Sequence, residues 1–148
     1  LIWFKQLNKK NEFNILKTVV ILFDGSCLLC NAWVRRLCNW DKKDILRFAT
    51  LDSNTAKGFF EEHKLDSNSM ETVVFWKPKE MYAIEDQATF ELFKTLGGLW
   101  NLATVFRLLP NFVTRNIYRL IARNRYKWFG KSDNCPLPDH KYVHKFLD

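Results

Sequence analysis

Residues 19–33, "VVILFDGSCLLCNAW", change character twice, and the two changes decide the fold. The run from Thr18 to Phe23 is β-branched and aromatic, and it stops at Asp24-Gly25, a turn signal, so it predicts a buried strand. From Leu28 to Trp40 the apolar spacing becomes helical. Cys30, Trp33, Val34, Leu37 and Cys38 form one stripe, with Asn31, Arg35, Arg36 and Asn39 opposite. This spacing turns Cys30 into the core and leaves Cys27 exposed in the first turn. A C-x-x-C pair thus stands where a strand hands over to a helix.

Outward from that turn, "ILRFATL" (45–51) predicts a second strand and residues 54–63 a second helix. "ETVVFW" (71–76) and "MYAIE" (81–85) predict two strands joined by a hairpin at "KPKE", and Asp86 is placed as the N-cap of a helix ending at Gly97-Gly98. The order β-α-β-α-β-β-α, a crossover followed by a hairpin, predicts an α/β fold. Its four-stranded mixed sheet is covered by helices in the minimal thioredoxin-like arrangement. Two further helices follow. Residues 99–109 are apolar nearly all round and are predicted buried, while 111–129 are long and amphipathic. With no repeat, low-complexity tract or linker, residues 1–148 read as one domain. It divides into an N-terminal extension (1–17), a thioredoxin-like core (18–98) and a helical C-terminal extension (99–148).

Apolar residues make up 47% and charged residues 26% of the chain, as in soluble globular proteins. Thirteen Phe predict a ring-rich core. The apolar runs fall well short of the ~20 residues a membrane-spanning helix needs. The opening "LIWFKQLNKKNEF" is too quickly charged for a signal peptide, so the reducing cytoplasm is the expected compartment. Four cysteines do not resemble a secreted disulfide framework, and C-x-x-C in such a chain points to redox or metal chemistry.

The sequence also resembles a known family. "FDGSCLLC", "RFATLDS", "LGGLW", "LLPNFVTRNIYRLIARNRYKWFG" and "CPLP" occur in the order found in the DCC family of thiol–disulfide oxidoreductases. The family is named for its D-x-x-C-x-x-C signature, here Asp24, Cys27 and Cys30. The likeness runs from about Val20 to Pro138 and implies a thioredoxin-like fold with thiol–disulfide exchange, its partner a protein or small-molecule thiol or disulfide. One departure concerns thioredoxins and glutaredoxins, which carry a cis-proline before the third strand. Here "NSMET" holds that place.

The reacting species is the thiolate, and a helix N-terminus favours it through unpaired N–H groups and the macrodipole. Cys27 is therefore assigned as the attacking nucleophile and Cys30 as the resolving thiol. Asp24 has two readings: a proton acceptor for Cys30, or an Asx-type turn whose carboxylate accepts loop N–H groups. No organic cofactor is implied. Zinc is the chemical rival, because Cys27 and Cys30 supply two ligands and Cys135, His140 and His144 offer C-x4-H-x3-H spacing. A third reading is a redox-inactive thioredoxin-like scaffold. Cys38 lies eight residues past Cys30, ~12 Å along the helix, and is read as core filling. His63 is read as an exposed helix residue.

The net charge of +7 is uneven: seven Lys/Arg and no Asp or Glu lie between Ala103 and Ser132. Arg115, Arg119, Arg123 and Lys127 recur every four residues as one stripe, with Val113, Ile117, Leu120, Ile121 and Trp128 on another face. The expected arrangement docks the apolar face on the core and leaves the arginines in water. The alternative lays the helix on an anionic membrane or an acidic partner. No nucleic-acid motif accompanies the charge. Arg123 and Arg125 either bond loop carbonyls or border the cysteine site and raise its positive potential.

Overall fold

The computed structural model describes residues 18–67, 72–131 and 140–147. Its sheet is built around β1 (Val19–Phe23), which pairs parallel with β2 (Leu46–Thr50) and antiparallel with β3 (Val74–Lys77). β4 (Met81–Ile84) adds antiparallel to β3, giving the order β2-β1-β3-β4. Alternation along β1 sorts its side chains. Val19, Ile21 and Phe23 pack with Val34, Leu37 and Cys38 of α1 (Leu28–Trp40) and with Ala88 and Leu92 of α3 (Glu85–Leu96). Val20 and Leu22 pack with Ala56, Phe59 and Phe60 of α2 (Asn54–His63) on the opposite face. A central strand covered on both faces is apolar at every position, which is why "VVILF" shows no polar alternation.

Local chemistry sets most helix ends. Ser53 caps α2 by accepting the Ala56 N–H at 3.1 Å, and Gly97, at φ +67°, ends α3 where the sequence predicts. The N-cap of α3 is Ile84 rather than Asp86. Asp86 sits in the first turn, buried, and its Oδ2 accepts the Thr114 hydroxyl at 2.8 Å. His63 is half-buried rather than exposed: its ring lies 4.4 Å from that of Phe59, and its Nδ1 bonds the Phe59 carbonyl.

The C-terminal half departs further from expectation. Residues Gly98–Leu108 form a 3-10 helix, not an α-helix, and most of its apolar side chains are exposed rather than buried. Trp100 anchors it against Trp40 and Phe93, at ring distances of 4.3 and 5.3 Å. With three residues per turn, Leu99, Leu102, Val105 and Leu108 align into one ridge, and they are 84, 67, 57 and 86% exposed. α4 (Asn111–Phe129) is also inverted relative to expectation. Ile117, Leu120, Ile121 and Trp128 face water, while Thr114, Tyr118 and Arg125 turn inward. α1, α2 and α3 already close the sheet's apolar faces, so α4 meets polar groups instead: Asp86, Thr72 and Asp24.

A short 3-10 helix, His140–Lys145, returns the chain to the far end of α1. Lys145 is buried there, its Nζ 2.7 Å from Asp41 Oδ2 and 2.6 Å from Asp44 Oδ1, while the Asp41 carboxylate also accepts the Ile45 and Leu46 N–H groups. Phe146 bridges to Phe48 beside it. Breaking a buried pair strands a charge at a cost of about 3–5 kcal/mol. Asp41→Ala should therefore lose about that much stability in urea unfolding, and a loss no larger than a surface pair's would contradict the burial.

Candidate active site

β1 ends at Phe23, and the next residues make a saturated turn. Asp24 Oδ1 accepts the Ser26 N–H at 3.0 Å and the Ser26 hydroxyl at 2.7 Å. Its Oδ2 accepts Arg125 Nη2 at 3.0 Å and the Tyr126 hydroxyl. The Asn31 side-chain amide donates to the Gly25 carbonyl at 2.9 Å, which buries Asn31 instead of leaving it on the solvent side of α1. Trp33, predicted in the apolar stripe, is 38% exposed.

Cys27 closes the turn and caps α1. Its N–H donates to the Asp24 carbonyl at 3.2 Å, and its Sγ accepts the Cys30 N–H at 3.4 Å. The expected exposure of Cys27 is not met, since it is 0% exposed, whereas Cys30, half-buried, packs against the core as its place in the stripe predicts. The cover comes from beyond α4. Gly130 turns the chain, its carbonyl accepts the Leu28 N–H at 3.5 Å, and Lys131 bridges Cys27 in antiparallel fashion. Helical periodicity within α1 carries no information about a bridge that arrives from residue 131. Gly130 has φ +96° and ψ 168°, a region essentially reserved for glycine, and a Cβ there would meet Leu28 Cδ1 at 3.1 Å.

The charges respond to this packing. Burial pushes the Asp24 carboxyl up, but the Tyr126 and Ser26 hydrogen bonds and the Arg125 charge together hold it below its usual 3.8. Burial first, then the hydrogen bond and charge of Cys27, push the Cys30 thiol up to about 12, and Arg125 pulls against them. Arg125 itself is buried, and its Nε has no hydrogen-bond partner among the described residues. Tyr118 ties α4 to the segment before β3: its hydroxyl lies 2.6 Å from Thr72 Oγ1 and accepts the Val73 N–H at 3.2 Å. That segment is where a thioredoxin carries its cis-proline.

Of the sequence-predicted residues, Asp24, Cys27, Cys30 and Arg125 come together, whereas Arg123 is exposed on a different face of α4. His144 pairs with Asp44 at the far end of α1, ~20 Å along the helix from Cys27. It therefore shares no site with the cysteine pair. Cys135 lies outside the described residues. No group of three His, Cys, Asp or Glu side chains suited to a metal occurs among the described residues. Cys38 is buried in the core, and that burial raises its thiol to about 11. Sequence reasoning missed Ser26, Tyr118 and Tyr126. The available signal was the spacing of Thr114, Tyr118 and Arg125 at i, i+4 and i+11, one polar face on a helix otherwise read by its apolar stripe.

A mixed sheet in this order, with C-x-x-C at the first strand-to-helix turn, defines a thioredoxin-like protein. The chain belongs to the DCC1-like thiol-disulfide oxidoreductase family, whose family model matches residues 21–131. It is 34% identical over 128 residues to the uncharacterized protein YuxK of Bacillus subtilis, covering 86% of this chain and 93% of that one. It is 30% identical over 136 residues to a chloroplastic DCC family protein of Arabidopsis thaliana, covering 91% of this chain and 77% of that one. No solved structure matches significantly. The groups that meet at the turn, from Asp24 to Lys131, all fall within the family match.

Arg125→Met removes a charge-assisted hydrogen bond from Asp24 and should cost about 1.5–3 kcal/mol in urea unfolding; an unchanged midpoint would contradict the pairing. Because the folded pKa of Asp24 is depressed, its contribution is present above the ordinary value of 3.8 and is lost as pH falls through the lower folded value. Asp24→Asn should therefore show a flatter loss of stability than wild type below about pH 4, and parallel acid limbs would count against it. Gly130→Ala should cost about 1–3 kcal/mol and speed alkylation of Cys27 as the covering bridge loosens. Unchanged stability and alkylation would count against that cover.

Proposed function

We propose that Cys27 and Cys30 form a two-electron dithiol–disulfide couple, with Cys27 attacking, Cys30 resolving and Asp24 holding the turn. The observation that carries this reading is the Cys27 cap: its Sγ accepts the Cys30 N–H at the start of α1. The raised Cys30 thiol keeps its proton until resolution. Asp24 already accepts from four donors, which supports the turn-holding role over that of proton acceptor.

The exchange balances as follows. The Cys27 thiolate attacks one sulfur of a partner disulfide, forming a mixed disulfide and releasing the other partner sulfur as a thiolate. Cys30 gives its proton to the released partner thiolate and attacks Cys27 Sγ. The second partner thiolate leaves, and the Cys27–Cys30 disulfide remains. Two electrons pass to the partner, and the reverse sequence oxidises a partner dithiol. Because Cys27 is covered by Gly130 and Lys131, attack requires that bridge to part. Four cysteines do not make a secreted disulfide framework, and we propose the cytoplasm as the compartment on that ground.

The test is trapping with glutathione disulfide. Cys30→Ser should accumulate one glutathione on Cys27, located by mass spectrometry, whereas Cys27→Ser should react many times more slowly. Equal labelling of Cys30 in Cys27→Ser would reverse the roles. No labelling of either variant would favour the redox-inactive scaffold.

A further inference from the structure

The segment 98–129 leaves two apolar surfaces uncovered. One is the 3-10 ridge of Leu99, Leu102, Val105 and Leu108, with Phe112 68% exposed just beyond it. The other is the outer face of α4, where Ile117, Leu120, Ile121 and Trp128 are each 41–55% exposed. At 3.6 residues per turn, Ile117, Ile121 and Trp128 fall along one line with Leu120 beside it, and Arg123 and Lys127 run along its flank. Arg115 and Arg119 lie across the helix from that line, half-exposed and shared with Glu85 at 3.7 and 3.4 Å. Arg123 and Lys127 have no carboxylate partner among the described residues. α4 is ~28 Å long at 1.5 Å per residue. Its inward contacts are polar, and its exposed surface carries an apolar stripe beside basic residues, unlike an ordinary surface helix.

We infer that the apolar stripe of α4, with Arg123 and Lys127 beside it, is a docking surface for an anionic lipid bilayer. A second copy of the chain fits the apolar stripe poorly. Two-fold pairing would bring Arg123 and Lys127 against their own kind, and no Asp or Glu occurs from Gly98 to Ser132 to relieve the repulsion. An acidic protein would answer the charges and leave the stripe of Ile117, Leu120, Ile121 and Trp128 unexplained. A bilayer interface answers both, because Leu, Phe and Trp side chains enter the acyl boundary while flanking Arg and Lys reach the headgroups. The association is peripheral, since no helix among the described residues is long and apolar enough to cross a membrane.

The test is flotation of the full chain with phosphatidylcholine vesicles, with and without phosphatidylglycerol. The wild type should float with the anionic vesicles, not with the neutral ones, and high salt should release it. Arg123→Gln with Lys127→Gln should weaken binding about fivefold per charge removed. Leu120→Gln with Trp128→Gln should weaken it at unchanged charge. Circular dichroism would confirm that both variants keep the fold, and glutathione labelling of Cys27 should not change in either. Three results would overturn the inference: equal flotation with neutral vesicles, no flotation with either, or loss of binding only in the charge variant, which would mark simple electrostatic adhesion. A wild-type dimer that Leu120→Gln converts to monomer would also overturn it and assign the face to a second copy.

Discussion

The carboxylate of Asp24 accepts hydrogen bonds from both ends of the fold. Ser26, two residues on, binds one oxygen, and Arg125, 101 residues on, binds the other together with Tyr126. A half-buried carboxylate holds its charge only when its oxygens are satisfied, and here the satisfaction is shared between the turn and α4. Three consequences follow from that one group. The turn that presents Cys27 to α1 is fixed. The last turns of α4 are brought beside it. Gly130 and Lys131 are then aimed across the cysteine as a bridge. Loss of the Asp24 carboxylate would release cover and cap together.

The exposed apolar stripe of α4 has the same origin. A helix added to a sheet whose apolar faces are already covered finds no apolar surface to bury. It docks instead through Thr114 on Asp86, Tyr118 on Thr72 and Val73, and Arg125 on Asp24. Polar contacts of this kind are directional and position a site well. They also leave the helix's apolar stripe in water. The price of this precise placement of the active-site turn is thus an exposed greasy face.

This division explains what could be read from the sequence. The strands, the order of elements along the chain and the place of the cysteines were legible because each rests on local pattern: an all-apolar β1, a turn at Asp24-Gly25, helical spacing from Leu28 and glycines after Leu96. The environment of the site was not. Cys27 is buried beneath the bridge from residue 131, Asn31 by its bond to Gly25, and Arg125 by Asp24. Each is a nonlocal or polar contact with no periodic signature. The apolar pattern of 99–129 was read as burial because periodicity reports which residues share a face and is silent on what that face meets.

The most direct test of the central claim is a redox titration of the full chain in glutathione buffers, with thiols trapped at each step and the pairing located by mass spectrometry. A couple built on this turn predicts one reversible two-electron transition confined to Cys27 and Cys30, with Cys38 reduced throughout. Cysteines that never pair across the range, or a disulfide that includes Cys38 or Cys135, would contradict it.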